Sequence, residues 1–278
     1  MLGLSESELF YGGVLMKRIG LIGGTGLLSF TEDKESILPW SLKNRNELTV
    51  ETPYGDVPMT VLDLDNDGLE CKIFFLQRHH NIHGGTNSPH NINHLANISA
   101  ISSCRVDFTI SVCSVGAVSE TFKPGMVGLA NQYIDFSGNS VSYNNIEAKF
   151  TSMTSPFNSD LNNKLLHSLR LSQPHLSELM DSDFLLTYWY SVGPQFETSA
   201  EILAISNFGA DCVGMTLAPE AKLLAEKNIP FSAILIAGNH AAGLDPSDSN
   251  AILDHNNISS TATSRSEPVW FALKNIFT

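Results

Sequence analysis

The run Arg78-His79-His80-Asn81-Ile82-His83 places an arginine and three histidines one residue beyond the apolar stretch 73–76. Two chemistries compete for it. A planar guanidinium beside imidazole offers parallel donors to a phosphate. The histidines, extended by His90 and His94, would instead suit zinc, but no acidic residue between Cys71 and Arg105 is present to orient such ligands. A second anion cradle is available in Ile19-Gly20-Leu21-Ile22-Gly23-Gly24-Thr25-Gly26. Its glycines admit close backbone approach, and the Thr25 hydroxyl joins successive N–H groups. The segment fails the GxGxxG dinucleotide pattern and lacks the Walker lysine, so a plain strand-to-loop turn explains it equally well on its own. Cys113-Ser114-Val115-Gly116-Ala117 again ends an apolar run in small residues, where the Ser114 amide could meet the same anion.

The most specific signal is Gly193-Pro194-Gln195-Phe196-Glu197-Thr198, followed by a stretch running from Gly209 through Met215, Thr216 and Pro219 to Glu220. Phe196 presents a flat apolar face. Glu197 opens a predicted helix, where it serves either as a capping carboxylate or as a ligand acceptor. Asn239, set among Gly238, Ala241 and Ala242, has the polar edge needed to read a heteroaromatic ligand.

These groups act together only if the fold gathers them. β-Branched apolar runs predict strands over 19–22, 60–64, 72–77, 108–112, 126–130, 184–190, 212–215 and 231–236. Helical periodicity covers 91–102, 158–172, 198–208 and 220–227, with a last helix near 251–259. Continuous apolar strands alternating with helices imply a sheet covered on both faces, hence a single α/β domain over residues 18–278 behind an N-terminal extension, 1–17. The polar stretch 139–155 reads as a long loop.

The 278 residues carry a formal net charge of -13, which disfavours nucleic acid, and 42% hydrophobic residues, enough for a large core. No apolar stretch or leader pattern points to a membrane, so a cytoplasmic location is expected. The four cysteines are widely spaced and read as reduced packing residues.

Taken in order, IGLIGGTG, ETPYG (51–55), QRHHNIH, PHNINHLAN (89–97), PGMVGLANQYIDF (124–136), GPQFETSAE, GADCVGMTLAPE and GNHAAG resemble the trimeric purine nucleoside phosphorylase and methylthioadenosine phosphorylase family over residues 18 to about 258. The resemblance implies a mixed, barrel-like central sheet flanked by helices and a homotrimer. It also implies a pentosyltransferase of purine salvage, with no metal or organic cofactor and with inorganic phosphate as co-substrate. It assigns phosphate binding to Thr25, Arg78, His79, Ser114 through its backbone N–H, and Thr216. Phe196 would lie beside the purine and Met215 under the ribose, with Glu197 and Asn239 reading the base. His255 matches a residue on the 5′-hydroxyl.

In such a reaction the sugar becomes oxocarbenium-like, phosphate is the nucleophile and the purine leaves. Arg78 would stabilise the anion, while Asn239 would donate to the departing base. Adenine-specific members carry Asp where this chain has Asn239, and Glu197 can accept from the N1–H that 6-oxopurines possess. Inosine, guanosine or 5′-methylthioinosine are therefore the expected substrates. Methylthioadenosine phosphorolysis and a catalytically impaired nucleoside-binding protein are the alternatives; a dinucleotide-dependent oxidoreductase ranks below both. His255 favours a 5′-hydroxyl, and Leu244 with Ile258 a 5′-methylthio group. Three departures from the family pattern fall near the site: His80 for glycine, His94 for tyrosine, and Gly238 for a hydroxyl residue. The expected C-terminal helix is broken by the stretch 264–268.

Overall fold

The computed structural model describes residues 16–24, 41–66, 68–81, 84–253 and 267–276. Nine strands form one mixed sheet: β1 (Lys17–Gly23), β2 (Ser41–Val50), β3 (Val57–Asn66), β4 (Leu69–Gln77), β5 (Phe108–Ala117), β6 (Val127–Ile134), β7 (Leu185–Tyr190), β8 (Cys212–Gly214) and β9 (Phe231–His240). Their order is β2-β3-β4-β1-β5-β8-β7-β6-β9, and an added β5–β9 pairing closes the last five into a barrel. Strands β1, β4, β5 and β9 run parallel, so their carboxyl ends share one rim. That rim is where ligands collect in α/β sheets.

The central strands are buried on both faces, which explains their unbroken apolar runs. Ile19, Leu21, Ile73, Phe75, Ile110 and Val112 face one core, shared with Leu165 and Leu169. Ile22, Phe74, Leu76, Cys113 and Val115 face the other, shared with Ile98, Ile101, Leu223 and Leu224. Successive residues thus alternate between two cores rather than between core and water.

Five α-helices fall in the described residues: α1 (His94–Ser103), α2 (Ser159–Ser172), α3 (Ser199–Asn207), α4 (Leu217–Glu226) and α5 (Glu267–Asn275). Asn93 and Asn158 start α1 and α2 by accepting from Ala96 N and Leu161 N.

Three expectations need correction. Residues 251–253 are not helical, and the rest of the helix expected near 251–259 lies outside the described residues. Of the break expected at 264–268, residues 264–266 lie outside the described residues, while Glu267 and Pro268 open α5, because a proline in the first turn lacks an N–H that would make no hydrogen bond there. Val269, Trp270, Ala272 and Leu273 then bury against the core that α2 also covers. Strand β2 went unread because SLKNRNELTV is almost wholly exposed and lacks alternation. It is held by antiparallel pairing to β3 and presents charged side chains along a sheet edge.

The loop after β6 is tied down. Ser142 Oγ and Tyr143 N–H donate to the two carboxylate oxygens of Glu226 (2.6 and 2.7 Å), and Tyr143 OH donates to the Leu95 carbonyl (2.7 Å). All four cysteines are buried free thiols. No helix among the described residues is long and apolar enough to cross a membrane.

Candidate active site

A cavity of about 570 Å³ opens at the shared carboxyl rim. Eight of the ten residues singled out from the sequence line it: Arg78, His79, Ser114, Phe196, Glu197, Met215, Thr216 and Asn239. Thr25 and His255 lie outside the described residues, as does Ile258. Leu244 is 40% exposed and absent from the lining, whereas Leu253 belongs to it.

Arg78 leaves the end of β4 with its N–H bonded to Gly23 O (2.9 Å), which joins the two cradle segments. Its side chain is 2% exposed and turns inward. Nε lies 2.8 Å from Glu220 Oε1, and Nη1 donates to Val112 O at 3.1 Å. Nη2 reaches Ile22 O and Glu220 Oε2, each at 3.4 Å. Ser111 Oγ donates to the same Glu220 oxygen at 2.6 Å. The Nε–Oε1 contact is an ion pair not aligned as a hydrogen bond. Burial opposes the charge on Arg78, but Cys113 and Glu220 outweigh it and leave the pKa raised. Burial lifts the Glu220 carboxyl, against the pull of Arg78 and Ser111. Gly24 is required here, since a Cβ would stand 2.5 Å from Arg78 Nη1.

The guanidinium therefore meets a carboxylate as well as the cavity. Glu220 is the main functional residue that sequence reasoning left without a role. In sequence it is an acid in the first turn of a helix, and only the fold shows that it points into the protein at 1% exposure.

His79 Nδ1 lies 2.9 Å from the Asn87 carbonyl. A carbonyl only accepts, so Nδ1 carries the proton in the neutral ring. Thr216 precedes α4 but makes no side-chain cap. Instead, the Thr216 and Leu217 N–H groups donate to Tyr188 OH (3.1 and 3.4 Å). This spends two amides at the helix start and leaves the Thr216 hydroxyl near Cys113 Sγ at 3.8 Å. His83 lies outside the described residues, and among those residues no group of three metal-ligating side chains occurs. His94 opens α1 and is held neutral, its pKa lowered to about 3 by burial, with Arg78 and His79 adding repulsion.

The other end of the site is set by a turn and a bulge. Glu197 does not cap α3; Thr198 does, in a capping box with Glu201. The Glu197 carboxyl is thereby left to the cavity, with Oε1 buried and without a hydrogen-bond partner. Burial raises its pKa against the hydrogen bonds from its own backbone and from Ser191. Gly193, at φ +74, is compulsory in both conformation and space, because a Cβ would lie 2.6 Å from Met215 Sδ. On β9 the register with β5 jumps from Val115↔Ala237 to Gly116↔Asn239. Gly238 is thus the extra residue of a bulge that sets Asn239 opposite Gly116 in the cavity wall. Asn239 Nδ2 donates to His240 O at 2.6 Å.

This arrangement gathers Arg78, His79, Ser114 and Thr216 at one end of the cavity, where guanidinium, imidazole and hydroxyl groups suit an anion, and a carboxylate, an amide and an exposed aromatic ring at the other. The phosphorylase superfamily profile matches residues 74–267. The chain is 32% identical over 264 residues to the 6-oxopurine nucleoside phosphorylase of Pyrococcus furiosus, covering 91% of this chain and 89% of that one. It is 32% identical over 232 residues (82% and 79%) to the probable S-methyl-5'-thioinosine phosphorylase of Thermodesulfovibrio yellowstonii. It is 33% identical over 225 residues (80% and 79%) to the S-methyl-5'-thioadenosine phosphorylase of Thermofilum pendens. The fold matches a crystal structure of methylthioadenosine phosphorylase from an antarctic soil metagenomic library, with TM-score 0.73 and 24% identity over 93% of this chain and 85% of that one.

Proposed function

Because this chain is an enzyme of the phosphorylase superfamily, we propose that it is a purine nucleoside phosphorylase that cleaves 6-oxopurine nucleosides to the free base and a pentose 1-phosphate. The carrying observation is the buried, unpartnered Glu197 Oε1 in a cavity that Asn239 and the anion-binding side chains also line. An ionised carboxylate only accepts hydrogen bonds. The N1–H of hypoxanthine or guanine satisfies it, whereas neutral adenine presents a lone pair there. Leaving such a buried acceptor unpaired costs about 1–3 kcal/mol, enough to discriminate between bases.

Phosphate occupies the end formed by Arg78, His79, Thr216, the Ser114 amide and Thr25. Its negative charge next to the developing oxocarbenium stabilises the transition state and supplies the nucleophile in place. As the C1′–N9 bond breaks, electron density moves into the base, where the second N–H of Asn239 can donate to O6 or N7. Phe196 packs on the purine and Met215 beneath the ribose. No metal or organic cofactor takes part. In the wall, Leu253 favours a 5′-methylthio group, while His255 remains the candidate partner for a 5′-hydroxyl. A homotrimer located in the cytoplasm and acting in purine salvage completes the reading; light scattering on the purified protein tests the assembly.

The deciding assay presents inosine, guanosine, methylthioinosine, adenosine and methylthioadenosine, each with and without phosphate. Phosphate-dependent release of hypoxanthine or guanine is expected. Turnover confined to the two adenine nucleosides would overturn the base assignment. Asn239→Asp should move the selectivity ratio toward 6-amino substrates, and an unchanged ratio would remove Asn239 from base reading.

A further inference from the structure

Three consecutive carbonyls in the segment Arg78-His79-His80 are each held by an asparagine. Asn87 takes two of them, its N–H donating to His79 O and its Nδ2 to His80 O, both at 2.7 Å. The carbonyl of Arg78 accepts from Asn97 Nδ2 on helix α1 at 3.1 Å. This contact fixes the Asn97 amide, since the atom facing a carbonyl must be the nitrogen. Asn97 Oδ1 then faces His80 Nε2 at 2.8 Å, and as it can only accept, Nε2 must carry a proton. Every donor in the chain His80 Nε2–H, Asn97 and Arg78 C=O is assigned without ambiguity. Asn97 is 2% exposed, so without His80 its carbonyl oxygen would be a buried orphan, and the amide would be free to rotate away from Arg78.

We infer that His80 is a positioning residue for the anion end of the site, acting through Asn97 on the main chain of Arg78. It touches neither phosphate nor nucleoside. Its role is to hold the backbone from which the Arg78 guanidinium and the His79 ring project, so its loss is felt in phosphate binding. The inference rests on the phosphorolysis reading and adds a residue to it.

The test compares His80→Leu, which has no donor, with His80→Gln, whose side-chain amide carries a nitrogen at about the reach of Nε2, and with Asn97→Asp, which keeps the acceptor for His80 but removes the donor to Arg78. Steady-state KM is measured separately for phosphate and nucleoside on the full chain, with calorimetric titration of inorganic phosphate alongside. Expected is a roughly tenfold rise in phosphate KM and Kd for His80→Leu and Asn97→Asp, the scale of one buried hydrogen bond. Nucleoside KM should stay within about twofold, and His80→Gln should recover most of the phosphate affinity. The inference is overturned if His80→Leu leaves phosphate KM unchanged, if His80→Gln is as impaired as His80→Leu, or if both KM values rise together. Should His80→Leu not fold, the contrast between His80→Gln and Asn97→Asp decides on the same criterion. Wild-type protein that binds no phosphate would refute the functional reading and this inference together; wild-type binding with unaltered variants would refute the inference alone.

Discussion

Replacing Glu220 by glutamine isolates the largest electrostatic commitment in the site. The side chain keeps its shape, but Arg78, at 2% exposure, loses its counter-charge. At 2.8 Å the pair attracts by about 6 kcal/mol with an effective dielectric near 20. Desolvation of both ions offsets part of that, and removing one partner of a buried pair typically costs about 3–5 kcal/mol. At about 2–4 °C per kcal/mol for chains slightly shorter than this one, the melting temperature should fall by roughly 6–20 °C. The same substitution frees the guanidinium from a competing carboxylate and removes a negative charge beside the anion end. Inorganic phosphate should therefore raise the melting temperature of Glu220→Gln by more than it raises that of the parent. Differential scanning calorimetry of both proteins, with and without saturating phosphate, measures both effects. A drop below about 2 °C, or a phosphate-induced rise no larger than the parent's, would refute the view that Glu220 and the ligand share Arg78.

Glu197→Gln should stabilise the ligand-free protein by a few degrees at neutral pH, because an ionised carboxylate with a raised pKa is a net cost to the fold that amide substitution removes. Its kcat/KM on inosine should fall by about 10- to 100-fold from the lost acceptor, and a loss of activity without any gain in melting temperature would contradict the assignment. The sign with pH follows from the same raised pKa: the folded protein binds the Glu197 proton more tightly than the unfolded chain, so this group's contribution to stability weakens as pH rises from the unfolded value through the folded one. In the other direction, as pH falls through the folded pKa the carboxylate becomes a donor, and the preference for 6-oxopurines over 6-aminopurines should shrink. A selectivity ratio independent of pH across that range in the parent, measured by competition between inosine and adenosine, would exclude Glu197 from base reading. Gly193→Ala should raise nucleoside KM and lower the melting temperature, since a Cβ meets Met215 Sδ at 2.6 Å on a backbone already at φ +74; unchanged kinetics would show that Met215 does not shape the sugar end.

Local patterning made eight of the nine strands and four of the helices legible, because apolar runs and asparagine caps act over a few neighbouring residues. The same reasoning failed at β2, whose exposed polar sequence is a strand only because β3 offers it a hydrogen-bonding edge. It failed again at α5, where a proline that looks like a breaker occupies the one part of a helix that tolerates it.

For the site, the sequence by itself determined the chemical inventory: an arginine-histidine pair after a strand, a carboxylate after Gly-Pro, and an amide among small residues. Motifs with that order and spacing carried the family resemblance. Only the tertiary structure decided what each group is free to do. Thr198 and Glu201 take the capping role and release Glu197 to the cavity, the bulge at Gly238 chooses Asn239 as the residue facing Gly116, and Glu220 arrives from a helix far along the chain to neutralise Arg78. Partnership and burial set charge state and hydrogen-bonding capacity; the capping box is local, but the Asn239 and Glu220 placements bring together residues more than a hundred positions apart, which no local pattern encodes.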